Sequence, residues 1–325
     1  MPTLLDIKGL KVKITAGKRE FLAVDGIDLN IPSSSSHALV GESGCGKSIT
    51  AYSIMQLLPK AAKVVDGEIT FLGSDLMSKS ENMMQKIRGR RIGMIFQEPL
   101  SSLDPVFTVY DQIAEAITIH EKLKGKALKE RVTELLNKVH IKDAKRRLKS
   151  YPHQLSGGMR QRVMIASAIA MKPALLIADE PTTALDVTIQ LQILRLLKEL
   201  NREMGMALLL ITHDLGVVSY ACEHVSVMYA GKIVESTSTK ELFNDPKHPY
   251  TKALLKSMPK GKSADKKLDT IRGNVPMLYD LPKGCSFSSR CDRADEKCME
   301  AAPNMVEVDR GHFVACFHAK GNDAR

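Results

Sequence analysis

The 325-residue sequence contains no apolar run long enough to cross a lipid bilayer. Its longest apolar stretches, such as Val163 to Met171 and Ala207 to Ile211, are far shorter than the roughly 20 residues that a membrane-spanning helix needs. The N-terminus, MPTLLDIKGL, also lacks the basic segment and apolar core of a secretory signal peptide. We therefore expect a soluble, cytosolic chain that reaches a membrane only through a partner.

The chain also lacks a basic stretch interleaved with aromatic residues, although its formal net charge is +10. Lysine and arginine are spread along the sequence, so nucleic acid is not an expected partner. The net positive charge is then explained either by an ordinary basic surface or by a surface that faces a membrane. The hydrophobic content of 44% allows a sizeable core, and the length suggests two domains, or one large domain with a smaller appendage.

The apolar pattern predicts an α/β fold. Residues 4 to 31 alternate in short runs typical of antiparallel strands, and Ala174 to Ala178 and Ala207 to Ile211 are continuous runs typical of central parallel strands. A charged helical stretch from about 98 to 158 predicts a helical subdomain. Further strands are predicted at His37 to Val40, Gly67 to Leu72 and Ile92 to Phe96, and further helices at Ile49 to Leu58, Val109 to Leu148, Arg160 to Met171 and Val187 to Met204.

The segment GESGCGKS fits the pattern G-x-x-x-x-G-K-[ST] between a predicted strand and a predicted helix. Glycines let backbone N–H groups approach phosphate oxygens, and the helix N-terminus adds a positive dipole end. Lys47 is expected to reach the β- and γ-phosphates of ATP, and Ser48 to ligate Mg²⁺. The predicted nucleotide-binding residues here are Gly41, Glu42, Ser43, Gly44, Cys45, Gly46, Lys47, Ser48 and Ile49.

Two further motifs fit an ATPase. The strand LLIADE ends in Asp179, a candidate Mg²⁺ ligand, and Glu180, a candidate base for the attacking water. The segment LSGGM opens a helix with Ser156, Gly157 and Gly158. It is either an ordinary capped helix start or a second anion site with a hydroxyl and exposed glycine backbone.

Together these motifs resemble the ATP-binding-cassette (ABC) ATPases over roughly residues 4 to 245. The phosphate loop (P-loop), Gln97, LSGGM, LLIADE, the turn Ala184-Leu185-Asp186 and the triplet Thr212-His213-Asp214 occur in that family's order. The resemblance implies a P-loop NTPase fold with a RecA-like core, an antiparallel β subdomain and a helical subdomain, followed here by a small cysteine-containing extension.

The resemblance also implies roles for single residues. Gln97 would contact Mg²⁺ and sense the membrane partner, His213 would contact the γ-phosphate, and Glu180 would be the catalytic base beside Lys47. Ser156, Gly157 and Gly158 would grip the ATP bound to another subunit, and Asp186 would lie at the dimer interface. The family's usual aromatic for adenine stacking is missing near Ile14 and Ala16, so Phe21, the nearest aromatic, is the candidate.

Four of the six cysteines lie near the C-terminus, at Cys285, Cys291, Cys298 and Cys316. Four thiolates suit tetrahedral zinc or an iron–sulfur cluster. No pair has the C-x2-4-C spacing common in zinc ribbons, which favours a cluster, although disulfides or unligated thiols are alternatives.

A second resemblance covers the end of the chain. HPYT at 248 to 251, ALL at 253 to 255, Gly284-Cys285 and Arg290-Cys291 look like the extension of dipeptide and oligopeptide importer ATPases, in which this cysteine set is associated with a [4Fe–4S] cluster. It divides the chain into a nucleotide-binding domain, 1–250, and an extension, 251–325, with Lys260 to Lys267 as a polar linker.

The resemblance implies a peripheral ATPase on the cytoplasmic face of the bacterial inner membrane. Its expected partners are a paralogous ATPase or a second copy, two transmembrane permeases and an extracytoplasmic peptide-binding protein. Two alternatives stay open. One is an importer ATPase for another cargo, such as nickel, an opine or an antimicrobial peptide. The other is a soluble cassette ATPase without a transporter, which would usually carry two cassettes or a coiled-coil insertion.

Overall fold

The computed structural model describes residues 2–97, 102–183, 185–258 and 270–319, so the predicted linker at 260–267 lies outside the described residues. The chain forms two compact units. The unit that we call the P-loop unit contains Leu5–Asn30, His37–Met77 and the described residues from Thr212 onward. The helical unit contains the residues up to Leu4, Ile31–Ser36 and the described part of Ser78–Ile211.

Strands and helices are interspersed along the described chain. The strands are β1 (Thr3–Ala16), β2 (Arg19–Pro32), β3 (Ser36–Val40), β4 (Ala62–Phe71), β5 (Ser74–Asp75), β6 (Ile92–Ile95), β7 (Leu175–Asp179), β8 (Ala207–Thr212), β9 (His224–Tyr229), β10 (Lys232–Ser238), β11 (Val306–Asp309) and β12 (His312–Val314). The α-helices are α1 (Lys47–Met55), α2 (Glu81–Ile87), α3 (Val109–Thr118), α4 (Gly125–Lys138), α5 (Ala144–Arg147), α6 (Gly157–Ala168), α7 (Val187–Met204), α8 (Leu215–Ala221), α9 (Thr239–Asn244), α10 (Pro249–Ser257) and α11 (Glu296–Glu300).

The P-loop unit contains an antiparallel sheet and a mixed sheet. The antiparallel sheet has the order β2-β1-β4-β5, with Leu5 of β1 opposite Phe71 of β4. This confirms the antiparallel strands predicted for residues 4 to 31. In the mixed sheet the order is β11-β12-β10-β9-β3, and β3 and β9 run parallel, with His37 opposite His224. The last residue of β3, Val40, leads directly into the P-loop.

The helical unit has three parallel strands in the order β8-β7-β6. Every residue of β7 and β8 is buried, as the continuous apolar runs predicted. Helix α7 packs one face inward and is capped at its N-terminus by Asp186, whose carboxylate accepts a hydrogen bond from the N–H of Ile189. It ends at Gly205, where φ is 61°. Strands β6, β7 and β8 each lead, at the carboxyl end, into one of the motifs identified in the sequence.

Some boundaries differ from the sequence predictions. Helix α1 begins at Lys47, inside the P-loop motif, and ends at Met55 because Gln56 adopts a left-handed conformation with φ of 49°. The predicted helical stretch from Val109 to Leu148 is three separate helices, α3 to α5. Residues 98–101, at the start of the predicted helical subdomain, lie outside the described residues. No helix in the described part of the chain has the length and apolar character needed to cross a membrane.

The C-terminal part adds a hairpin to the mixed sheet, which the sequence analysis did not predict. Strand β12 pairs with β10, placing Val314 opposite Glu235, and β11 pairs with the outer edge of β12. The Glu235 side chain is fully buried, and its Oε1 lies 2.7 Å from Nε2 of His312. Its two carboxylate oxygens also accept hydrogen bonds from the backbone N–H groups of Lys247 and His248. One buried carboxylate therefore connects the hairpin to the start of α10.

Candidate functional site

The P-loop, Gly41 to Ser48, lies between β3 and α1 in the P-loop unit. The side-chain ammonium of Lys47 points into the loop and donates to the carbonyls of Gly41, at 2.8 Å, and Glu42, at 3.0 Å. Gly46 has a φ of 106°, and a Cβ at this position would lie 2.4 Å from the carbonyl oxygen of Ala23 on β2. The loop therefore packs against β2 so closely that position 46 requires glycine.

Glu180 is the first residue after β7, and the residue before it, Asp179, is fully buried. Glu180 has a φ of 45°, uncommon for a residue with a side chain, and its N–H donates to the carbonyl of Ile211 at 2.9 Å. Its Oε2 accepts hydrogen bonds from the hydroxyl of Thr183, at 2.8 Å, and from the amide of Gln97, at 3.3 Å. Such strained residues cluster at active sites. The helical unit thus brings the predicted base and the predicted Mg²⁺-contacting glutamine together.

The LSGGM segment forms the N-terminus of α6 in the helical unit. The Ser156 hydroxyl caps the helix by accepting a hydrogen bond from the N–H of Met159, at 3.4 Å, while the residue itself stays exposed. Gly158 is buried, and a Cβ there would lie 2.7 Å from Cγ2 of Ile189 on α7. The segment is therefore a capped helix start at which Ser156 is exposed.

The other predicted residues lie at exposed element ends. Asp186 is exposed at the N-terminus of α7 in the helical unit, while Ala184 of the same turn lies outside the described residues. His213 is exposed in the P-loop unit, between β8 and α8. The neighbouring Asp214 caps α8 by accepting a hydrogen bond from the N–H of Gly216 at 2.7 Å.

Phe21, the candidate for adenine stacking, is half-buried on β2. Its ring packs edge-on against Tyr279, with 6.1 Å between ring centroids. The guanidinium of Arg19 lies 4.5 Å from the centroid of Tyr279, which is 48% exposed. Residue Ala23, which contacts Gly46, lies two positions further along the same strand. Phe21, on the strand that borders the P-loop, therefore forms an aromatic pair with a partly exposed tyrosine from the C-terminal part of the chain.

The four C-terminal cysteines line one cavity in the P-loop unit. The backbone N–H groups of Arg293 and His318 point at two of the sulfurs, those of Cys291 and Cys316, each at 3.4 Å. Burial raises the pKa of each of these thiols, to about 11 for Cys298. The raised pKa values favour the protonated thiols, so a metal that binds these sulfurs would have to displace their protons.

The possible metal ligands in the described residues form one compact group. A single zinc ion held by four cysteines needs sulfurs about 3.8 Å apart, given a Zn–S distance of about 2.3 Å. Within the described residues, the group whose ligand atoms all lie within 4.8 Å of one another is instead Asp295, Cys298 and His318. That trio contains one of the four cysteines, so the four sulfurs do not all lie as close together as the ligands of a single zinc ion.

Comparison with known proteins places this geometry in a family. Residues 24–183 match a family model described as ABC transporter, and residues 234–298 match one described as the C-terminal region of oligopeptide/dipeptide transporters. The chain is 50% identical over 318 residues to a probable peptide ABC transporter ATP-binding protein of Sinorhizobium fredii, covering 97% of this chain and 95% of that protein. It is 49% identical over 318 residues to the oligopeptide transport ATP-binding protein AppD of Bacillus subtilis, covering 98% and 97%.

This chain belongs to the ABC transporter ATPase family. The resemblance inferred from the sequence motifs is therefore confirmed, as is the fold class. A solved structure of the ABC cassette MJ0796, a dimer bound to ADP and Pi, matches with a TM-score of 0.66 and 28% identity, covering 73% of this chain and 99% of that one. As an ABC ATPase, the chain hydrolyses ATP, the reaction that its P-loop and strand-end carboxylates predicted.

Three residues of this ABC ATPase contact predicted site residues but are not themselves predicted from the sequence. Thr183, which contacts Glu180, lies between two recognised motifs but is itself an unremarkable threonine. Arg290 and Tyr250 belong to the extension motifs, yet both contact Glu42 of the P-loop. In the sequence, Arg290 is recognisable only as an arginine beside a cysteine, in a segment with little apolar periodicity. That pattern does not indicate a contact with a residue more than two hundred positions earlier.

Proposed function

We propose that the chain is the ATP-hydrolysing subunit of an ABC importer for dipeptides or oligopeptides. The observation that carries the proposal is the coexistence, on one chain, of the cassette and the oligopeptide/dipeptide transporter C-terminal region. Relatives that match over nearly the whole chain support it, including a dipeptide transport ATP-binding protein, DppD, of Bacillus subtilis at 46% identity.

The residues around the P-loop would bind the nucleotide. The backbone from Gly41 to Ile49 cradles the phosphates, Lys47 neutralises charge on the β- and γ-phosphates, and Phe21 stacks on adenine. Mg²⁺ would neutralise negative charge on the phosphate oxygens during phosphoryl transfer. The residues that would hold it are Ser48, Gln97 and Asp179, whose hydroxyl, amide and carboxylate oxygens are the donors that Mg²⁺ prefers.

Glu180 would take the proton from the attacking water. Its carboxylate already accepts hydrogen bonds from Thr183 and Gln97, which fix the direction of the remaining lone pairs. His213 would contact the γ-phosphate and stabilise the charge on its oxygens. Positioning and electrostatic stabilisation account for most of the catalysis of phosphoryl transfer, and these side chains supply both.

Hydrolysis would occur in a head-to-tail dimer. The hydroxyl of the exposed residue Ser156 and the backbone of Gly157 and Gly158 would complete the ATP site of the other subunit, and Asp186 would lie at the interface. The solved MJ0796 structure is itself a dimer of cassettes, which supports this arrangement. The second subunit would be a paralogous ATPase or another copy of this chain.

The dimer would be a peripheral complex on the cytoplasmic face of the bacterial inner membrane. Two transmembrane permeases would dock on the helical unit near Gln97, and an extracytoplasmic binding protein would deliver the peptide. Support comes from the relatives, which are named as transport or import ATP-binding proteins.

The cysteine cavity would hold a [4Fe–4S] cluster, with zinc as the alternative. When bound, such a group would crosslink distant parts of the extension, in whose described residues few apolar side chains are buried. Cys285, Cys291, Cys298 and Cys316 would ligate the cluster, and the N–H···S contacts would orient two of the sulfurs.

Uptake measurements test the proposed cargo. We expect deletion of the encoding gene to abolish uptake of labelled dipeptides and oligopeptides, while uptake of free proline is unchanged. The wild-type gene should restore uptake, and the Glu180→Gln variant should not. Normal peptide uptake in the deletion strain, with loss of nickel or opine uptake instead, would replace the peptide proposal with another cargo.

A further inference from the structure

The side chain of Glu42, the second residue of the P-loop, is held by the C-terminal extension. Nη1 of Arg290 lies 2.8 Å from Oε2 of Glu42, and Nη2 lies 3.2 Å from Oε1, so the guanidinium and the carboxylate form a two-pronged ion pair. The residues are 248 positions apart in the sequence, and both belong to the P-loop unit. Two parallel charged hydrogen bonds fix orientation as well as distance.

Arg290 is itself rigidly placed. Its side chain is 4% exposed, and its Nε donates to the backbone carbonyl of Arg272 at 2.9 Å. The guanidinium carbon lies 5.8 Å from the ring centroid of Tyr229 and 5.9 Å from that of Phe287. Because the arginine is buried and fixed on several sides, it imposes its position on Glu42 rather than following it.

The backbone of Glu42 is held as well. Its N–H donates to the hydroxyl of Tyr250 at 3.0 Å, and its carbonyl accepts from the ammonium of Lys47 at 3.0 Å. Tyr250 is fully buried, and its ring packs 4.7 Å from that of Tyr229 and 5.4 Å from that of Phe287. The N–H, the carbonyl and the side chain of one P-loop residue therefore each have a defined partner.

These contacts matter because the P-loop binds phosphate through the direction of its backbone N–H groups. A rotation of the peptide at Glu42 would turn those groups away, and a carboxylate without its arginine would place an unbalanced negative charge beside the triphosphate. We propose that Arg290, with Tyr250, is a positioning residue for ATP binding, so that the C-terminal extension is a working part of the nucleotide site. This inference rests on the proposed role of the P-loop.

A purely structural role for Arg290 gives a different result. If the ion pair only fastened the extension to the fold, its loss would lower the melting temperature and the fraction of active protein. The affinity of the remaining folded protein for ATP would not change. Affinity for ATP and thermal stability therefore have to be measured on the same samples.

The experiment uses the full-length protein and four variants, Arg290→Gln, Arg290→Lys, Glu42→Gln and Tyr250→Phe. We expect Arg290→Gln to raise the Kd for Mg-ATP about tenfold, the order of magnitude of a lost charged hydrogen-bond pair. Arg290→Lys should give an intermediate Kd, because lysine keeps the positive charge but cannot form the two-pronged ion pair with Glu42. In ATPase assays KM should rise with little change in kcat, since the interaction serves binding and not the chemical step.

Two further samples make the test decisive. The double variant Arg290→Gln/Glu42→Gln should bind no more weakly than the worse single variant, because both substitutions remove the same interaction. Lys126→Gln removes an exposed ion pair with Glu130, in which the two side chains are 89% and 67% exposed, and should leave the Kd unchanged. A wild-type Kd in Arg290→Gln and Tyr250→Phe, or additive effects in the double variant, would overturn the inference.

Lys47→Ala separates this inference from the assignment of the P-loop. If Lys47→Ala loses ATP binding while Arg290→Gln retains it, only the positioning role fails. If Lys47→Ala binds ATP like the wild type, the assignment of the loop itself fails, and the inference fails with it.

Discussion

The amide of Gln97 donates a hydrogen bond to the carboxylate of Glu180, with 3.3 Å between Nε2 and Oε2. The same oxygen accepts a shorter bond from the hydroxyl of Thr183. Both of these hydrogen bonds go to Oε2, so together they orient the carboxylate through a single oxygen atom. Gln97 lies at the end of β6 and Glu180 at the end of β7, and the parallel pairing of these strands places the two side chains at one sheet edge.

We predict that Glu180→Gln loses ATP turnover and keeps ATP binding. Glutamine has nearly the same shape and can still accept from Thr183, but it cannot take a proton from water. General bases contribute on the order of 10²- to 10⁴-fold to rates, so we expect a fall in kcat within that range. Steady-state phosphate release measures the rate, and size-exclusion chromatography with Mg-ATP should show an accumulated dimer.

A matched substitution controls for the change of charge. Glu199 on α7 has a side chain that is 51% exposed, so Glu199→Gln should turn over ATP at the wild-type rate. Turnover by Glu180→Gln at the rate of the Glu199→Gln control would remove Glu180 as the base.

We predict that Gly158→Ala is far more damaging than Gly157→Ala. An added Cβ at Gly158 would lie 2.7 Å from Cγ2 of Ile189, whereas one at Gly157 would lie 3.4 Å from the end of the Leu185 side chain. Overpacking of this kind costs about 1–3 kcal/mol, and here it would also displace the N-terminus of α6. Gly158→Ala should lower both the melting temperature and the ATPase rate.

Shortening the opposing side chain tests the steric cause. Ile189→Ala removes the Cγ2 atom that the new methyl group would meet, so the double variant Gly158→Ala/Ile189→Ala should recover ATPase activity relative to Gly158→Ala. Equal effects of alanine at 157 and 158 would argue that the contact with Ile189 is not what requires glycine.

The core and most of the site could be predicted from sequence because each depends on short segments. Continuous apolar runs such as Ala207 to Ile211 have no hydrophilic face, so they must lie inside a sheet, and polar motifs that follow them must lie at its edge. The P-loop, Asp179 and Glu180 are all of this kind. Their positions follow from the strand that each one terminates.

The parts that could not be predicted depend on contacts between distant segments. Strand β11 is mostly exposed and short, so its residues carry no strong strand pattern, and its structure comes from pairing with β12. Glu235 is buried against His312, which lies 77 positions later, and local sequence patterns do not predict a contact at that separation. The contact of Arg290 with Glu42 likewise depends on the whole fold of the P-loop unit.

We predict that His37 makes the protein less stable in mild acid. The imidazole is buried in β3, with Nε2 2.9 Å from the hydroxyl of Ser226, and burial together with the nearby His224 lowers its pKa to about 3. In the unfolded chain a histidine has a pKa of about 6.5. Between these values the unfolded chain binds the extra proton, so the free energy of unfolding is fully retained above about pH 6.5 and falls as the pH is lowered toward 3.

The slope from one such proton is at most about 1.4 kcal/mol per pH unit. His37→Gln keeps a polar partner for Ser226 and removes the titration. Denaturant midpoints at pH 7.5 and 5.5 should therefore differ less in this variant than in the wild type. His153→Gln, at an exposed position in the helical unit, is the control. An unchanged pH dependence in His37→Gln would show that other groups cause the acid sensitivity.

Metal analysis of the cysteine cavity gives the last prediction, and the ligand geometry makes it specific. If a [4Fe–4S] cluster is bound, anaerobically purified protein should contain about four irons and four sulfides per chain. Cys285→Ser should remove most of that iron because it deletes one of four ligands. Cys222→Ser, which changes a buried cysteine outside the cavity, should retain it.

Zinc would leave a different pattern, because the compact trio of Asp295, Cys298 and His318 excludes Cys285. A single zinc ion in that trio should survive Cys285→Ser and be lost in His318→Ala, whereas a cluster should be lost in the former and kept in the latter. Burial raises the pKa of the Cys298 thiol to about 11, so binding of either group displaces a proton and should weaken as the pH falls. One zinc per chain with no sulfide, dependent on His318, would overturn the cluster proposal.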